Sequence, residues 1–263
     1  MLFRSITKYF EPFAKAEGKS VSLLTLHYYR GSAAASTSTV ETLLSYPDSK
    51  LKTALSESLA ASQASGVPFR IAETNSFSGG GAPDISNSYA SALWLIDHTM
   101  TCALGGASGV NFHGTTASST GYTQLVIDNK GIVRTINPEF YGLMLLSLAG
   151  SGSMLDTTIA ANGLNVSSYA IQSATGGVNV ILLNKDATQN LAASITLPQT
   201  ITTATARVMQ GPALDAASNP TIQGASIGVD GSFAPGQPYT LSLSGNSVNA
   251  NVPSASAVLI SVR

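Results

Sequence analysis

The hydrophobic pattern of this chain changes period at one place, the Gly/Ser joint Ala149-Gly150-Ser151-Gly152-Ser153. Before the joint, short apolar runs alternate with segments whose apolar residues recur every three or four positions. Tyr89, Leu93, Ile96 and Met100 show the second pattern, one face of a helix. After the joint, most segments alternate with period two. Val178, Val180 and Leu182 share one side, as do Ile195 and Leu197, then Ala204, Ala206 and Val208, then Leu241 and Leu243. A chain with that switch predicts an α/β part over residues 1–150 and an antiparallel β-sandwich over 151–263. A length of 263 residues suits one large domain or two smaller ones.

The α/β part reads as an ordered series. A short amphipathic helix is expected over Thr7 to Ala16, and a strand over Val21 to Tyr29. Helices are expected over Val40 to Leu44 and Ser49 to Ser65, the second stopped by Gly66. A strand over Phe69 to Thr74 leads to a helix over Tyr89 to Leu104, capped by Asp84 or Ser86. Gly109 to His113 is a further strand, Leu125 to Asp128 an additional candidate, and a last helix starts at Asn137-Pro138-Glu139. The strands are near-continuous apolar runs, as parallel strands covered on both faces are.

Composition excludes several functions. The net charge is −1, and only 10% of residues are charged, against roughly 25% in an average soluble domain. No basic surface is expected for nucleic acid or an acidic membrane, and no apolar run reaches the roughly 18 residues of a membrane span. The lone Cys102 sits in an apolar helical stretch and reads as a buried thiol. His27, His98 and His113 are scattered without metal-ligand spacing, so no metal or cofactor is expected.

Polar and ionisable residues gather where each early strand runs out: His27-Tyr28-Tyr29, Glu73-Thr74-Asn75 and Asn111-Phe112-His113. In a (β/α) barrel the active site lies at that end of the strands. Period-two geometry points His27 and Tyr29 the same way and Tyr28 opposite. Glu73 fits an ionised nucleophile for glycoside hydrolysis, with a tyrosine hydroxyl to orient it. The same spacing also suits a salt-bridged or capping carboxylate. Gly79-Gly80-Gly81 permits close backbone approach to an anion, or makes a flexible turn.

The run ETNSFSGGGAP, with HYY one strand earlier and GVNFHG one strand later, resembles glycoside hydrolase family 79, the β-glucuronidases and heparanases. That resemblance implies a (β/α)8 barrel plus a β-sandwich, and retaining hydrolysis of uronic acid glycosides. It matches Glu73 to the nucleophile and places Tyr29 and His27 beside it. It matches Gly79 and Gly80 to backbone groups that hold the substrate carboxylate, and Tyr122 to a tyrosine contacting the same carboxylate. Asn75 is grouped with these substrate contacts. Ser78 stands where some members have a tyrosine.

The family's acid/base is a Glu in an Asn-Glu pair. Asn137-Pro138-Glu139 has the wrong order and reads as a capped helix start. A full barrel takes about 250 residues, and residues 1–150 hold only its last three strands and their helices. The expectation is therefore a truncated enzyme whose acid/base lies ahead of Met1, with an N-terminal barrel half as partner. Family members are commonly extracytoplasmic. The alternatives are an inactive remnant that binds carbohydrate or a partner, and a structural β-sandwich module.

Overall fold

The computed structural model describes residues 6–114, 121–218 and 220–263. A π-helical turn, Ile6–Phe10, leads into α1 (Glu11–Glu17). Strand β1 spans Leu24–Ser32, three residues later than the apolar run suggests. Gly18–Ser20 continue the helix as a 3₁₀ turn, and the strand begins where the N–H of Leu24 reaches the carbonyl of Pro68 at 2.9 Å.

Helices α2 (Val40–Leu44) and α3 (Ser49–Ser65) have the predicted limits, for local reasons. Thr39 Oγ1 accepts from the N–H of Thr42, and Asp48 Oδ1 from that of Leu51, each at 3.1 Å. Gly66 closes α3 with φ +72°. Strands β2 (Phe69–Ser78) and β3 (Val110–Phe112) join β1 in a parallel sheet of order β1-β2-β3.

Between them lies α4 (Tyr89–Leu104), buried almost all round. Neither Asp84 nor Ser86 caps it. Ser88 stands at the cap position, but its hydroxyl donates back to the Ile85 carbonyl at 2.8 Å instead of capping, and the free N–H groups of Tyr89 and Ala90 donate to the carbonyls of Ala216 and Leu214 at 2.7 and 2.8 Å. Cys102 is fully buried and free. The hairpin β4 (Leu125–Ile127) and β5 (Val133–Ile136) stands apart from the parallel sheet, followed by α5 (Pro138–Ala149).

The remaining chain forms two antiparallel sheets. The larger contains β6 (Ser153–Leu155), β7 (Val166–Gln172), β8 (Val178–Asn184), β10 (Ala204–Gln210), β11 (Thr221–Ile222), β12 (Tyr239–Thr240) and β15 (Ser256–Val262). Its order is β11-β10-β15-β8-β7-β6, with β12 also on β10. The smaller has order β13-β14-β9, from Ser242–Ser244, Ser247–Val252 and Leu191–Thr196.

Strand β8 shows how the layers stack. Val178, Val180 and Leu182 share a core with Val248, Ala250 and Val252 of the smaller sheet. Ile181 and Leu183, on the opposite face, share a core with α4 and α5. Both faces of the larger sheet are thus covered, and one hydrophobic core runs across the Gly150–Ser153 joint. Leu241 and Leu243 do not share a buried face. Leu241 is buried and Leu243 exposed, because the strand breaks between β12 and β13, which pair in different sheets.

A polar seam reinforces that core. Lys185 Nζ and Asp97 Oδ2 form a buried ion pair, and Asp97 Oδ1 also accepts from Ser167 Oγ at 2.7 Å and from the Tyr169 hydroxyl. The Lys185 ammonium lies 4.3 Å from the Tyr46 ring centroid.

Candidate active site

A β-bulge sets the direction of the central carboxylate. Leu26 pairs with Ile71, but His27 pairs with Glu73, leaving Ala72 as an extra residue on β2. Strict alternation would put Glu73 on the side of Phe69 and Ile71, which are fully buried beneath the sheet. The bulge rotates Glu73 to the open face, next to His27. Thr74 then pairs with Tyr28, and both are buried.

On the open face Glu73 has three neighbours. The Tyr29 hydroxyl donates to Oε1 at 2.7 Å. His27 Nδ1 lies 3.4 Å from Oε2, and His113 Nδ1 3.7 Å from Oε1. The donated hydrogen bond from Tyr29, helped by the two imidazoles, holds the Glu73 carboxyl below the usual carboxylate range. Tyr29 is shifted the other way, by burial and then by Glu73, and remains a phenol that donates. His113 Nδ1 also meets the hydroxyls of Tyr29 and Tyr122, at 2.8 and 3.2 Å. Glu73 therefore sits ionised at the centre of a ring of phenols and imidazoles, one third exposed.

Tyr122 reaches this ring through the glycines. Gly79, Gly80 and Gly81 have φ values of +90, +95 and +92°, a region L-residues rarely adopt. The Gly80 carbonyl accepts the N–H of Tyr122 at 3.4 Å. A Cβ at Gly121 would lie 2.0 Å from that carbonyl, and one at Gly81 would lie 2.7 Å from the Tyr122 nitrogen. The two backbones therefore touch, whereas a Cβ at Gly80 would meet nothing within 4 Å, so the loop is open above it.

Asn75 does not line the opening. It is completely buried, and its carboxamide is engaged with the protein. Nδ2 donates to the carbonyls of His113 and Tyr122 at 2.8 and 3.2 Å and lies 3.4 Å from Glu139 Oε2, while Oδ1 accepts from the Ser76 N–H at 2.6 Å. The expected substrate contact is thus an internal brace: Asn75 pairs with Tyr29 in register, but its amide is taken up by the His113 and Tyr122 carbonyls and by Glu139.

The start of α5 also departs from expectation. Asn137 makes no side-chain cap. Its amide donates to the Thr123 carbonyl at 2.5 Å, and its N–H to the Gln124 carbonyl at 3.0 Å. Glu139 is buried, with Oε2 accepting from Gln124 Nε2 at 2.7 Å and Oε1 unpartnered. Burial raises its carboxyl well above the usual range, against the opposing effect of Asn75 and Gln124.

The structure thus brings His27, Tyr29, Glu73, Tyr122 and the glycine run together and sets Asn75 below them. His113 was legible as a polar strand end, but only the fold places it among these groups. Among the described residues no cluster of His, Cys, Asp and Glu could hold a metal ion.

No protein-family model matches the chain. A β-glucuronidase of Aspergillus niger is 32% identical over 89 residues, which cover 33% of this chain and 16% of that enzyme. A 4-O-α-L-rhamnosyl-β-D-glucuronidase of Fusarium oxysporum, solved with Rha-GlcA, superposes with a TM-score of 0.76 at 22% identity, over 95% of this chain and 55% of its own. A family 51 arabinofuranosidase of Xanthomonas axonopodis pv. citri has a TM-score of 0.65 at 15% identity, over 97% of this chain and 55% of its own. The chain is β-glucuronidase-like, shares a mixed α/β fold with these hydrolases, and spans only part of the length of each.

Proposed function

We propose, from the premise of a β-glucuronidase-like chain spanning part of such an enzyme, that it carries the nucleophile of a retaining glycosidase for uronic acid glycosides. The observation behind this reading is Glu73: an ionised carboxylate that a bulge turns to the open face in the middle of β2, held by Tyr29 and flanked by His27 and His113. In this reading Glu73 attacks the anomeric carbon, the glycosidic C–O bond breaks, and a glycosyl-Glu73 ester forms for water to hydrolyse. Tyr122 and the N–H groups of Gly79 and Gly80 hold the substrate's carboxylate, and Tyr29 and His27 orient the nucleophile.

The first 150 residues then form an arc of a (β/α)8 barrel, and residues 151–263 a β-sandwich. Retaining hydrolysis needs a second carboxyl about 5–5.5 Å away to protonate the leaving oxygen. The described groups that touch Glu73 are a phenol and two imidazoles. We assign the acid/base to further barrel polypeptide lying over the open face of the sheet, where Leu23, Thr25 and Asn111 are exposed.

A substrate whose leaving group needs no proton separates the two halves of the chemistry. With 2,4-dinitrophenyl β-D-glucuronide the chain should release a burst of about one dinitrophenolate per Glu73, then turn over slowly, with azide accelerating the second phase. Glu73→Gln should abolish the burst. A burst that survives Glu73→Gln would overturn the assignment. That no carboxyl among the described residues touches Glu73 also supports a second reading, a carbohydrate-binding protein without turnover. Saturable glucuronate binding by calorimetry with no burst would favour that one.

A further inference from the structure

We propose that Glu139 is a positioning residue: its carboxyl, buried between Asn75 and Gln124, fixes the segment that brings Tyr122 and His113 to Glu73. The proposal rests on the reading of Glu73 as nucleophile and deepens it. Glu139 lies in the first turn of α5 and is 1% exposed. Its hydrogen-bond partners are Asn75 and Gln124, not Glu73 or Tyr29, so it acts through its neighbours.

Two routes lead from Glu139 to the mouth. Gln124 Nε2 donates to Glu139 Oε2, tying down the residue two places after Tyr122. The Asn75 amide, facing the same oxygen, donates to the carbonyls of Tyr122 and His113. Asn137 adds two bonds, to Thr123 and Gln124, from the same turn. His113, Tyr122, Thr123 and Gln124 are thus held by the start of α5 and by one residue of β2.

The chemistry of the carboxyl fits this task. Among the described residues no cation pairs with it, and its second oxygen is buried without a partner. A carboxylate in that setting is costly, whereas a carboxylic acid keeps Oε2 as a neutral acceptor for both amides and carries its proton on Oε1. The requirement is therefore for an acceptor of this shape and not for a charge. Glutamine at 139 meets it; alanine does not.

The test compares Glu139→Gln, Glu139→Ala and Gln124→Ala in the full chain by hydrogen exchange with mass spectrometry. Residues 121–125 should be protected in the wild type and in Glu139→Gln. They should exchange at least about tenfold faster in Gln124→Ala and Glu139→Ala, while β7 and β8 are unchanged. The dinitrophenolate burst should slow about tenfold or more in the two alanine variants and recover in Glu139→Gln. If Glu139→Ala does not fold, Gln124→Ala carries the comparison. Unchanged protection of 121–125 in Gln124→Ala, or loss of it in Glu139→Gln, would overturn the proposal. A wild type with no burst but this exchange pattern would remove the nucleophile reading and leave Glu139 as a structural brace.

Discussion

Two buried carboxyls, Asp97 in the seam and Glu139 beneath the mouth, are stabilised in opposite ways. Asp97 faces the Lys185 ammonium and is completed by the hydroxyls of Ser167 and Tyr169. Glu139, among the described residues, faces two carboxamides and keeps one oxygen unpartnered. The first arrangement pairs a carboxylate with an ammonium and links α4 to β7 and to the residue that follows β8, across the joint. The second disfavours a charge and serves as a neutral acceptor at the edge of the candidate site. Burial alone therefore does not assign a role to a carboxyl; the nearest donor does.

That contrast breaks most readily at Lys185. Lys185→Ala leaves Asp97 buried without its cation and should cost about 3–5 kcal/mol in denaturant unfolding. A loss under 1 kcal/mol would show that the seam is hydrated. Near the mouth, Gly81→Ala should cost about 1–3 kcal/mol from its left-handed φ. The clash with the Tyr122 nitrogen adds to that cost and should weaken glucuronate binding.

Glu139→Gln sharpens the comparison through pH. A carboxyl raised in the folded state binds more protons there than in the unfolded chain, whose value is about 4.3. Its contribution to stability thus falls as pH rises from that value through the folded pKa. The stability of Glu139→Gln relative to wild type should grow over the same window, read by urea midpoints at several pH values. A constant difference would contradict a neutral Glu139.

The smallest expected effect is at Tyr29. Glu73 is lowered in the fold, so the stability it adds is present above its unfolded pKa and lost as pH falls through the folded one. Tyr29→Phe removes the main cause of that shift and should move the acid limb of the burst upward in pH.

Much of the fold was legible where local chemistry decides it. Thr39, Asp48 and Gly66 mark the limits of α2 and α3, and the face shared by Tyr89, Leu93, Ile96 and Met100 is buried throughout. What escaped depends on distant or aperiodic features. The cap of α4 comes from Leu214 and Ala216, more than 120 residues on. The Ala72 bulge defeats period-two reasoning, which would have turned Glu73 into the core. Asn75 and Glu139 look like a surface contact and a helix start until the fold places one beside the other.

The central claim is that Glu73 is a competent nucleophile, and covalent trapping tests it most directly. The chain would be incubated with 2-deoxy-2-fluoro-β-D-glucuronyl fluoride, whose fluoride leaves without a proton donor, and digested for mass spectrometry. A single 2-fluoroglucuronyl adduct on the peptide containing Glu73, absent in Glu73→Gln and prevented by excess glucuronate, is the predicted result. No adduct at Glu73, with glucuronate binding intact, would contradict the claim and leave a binding protein.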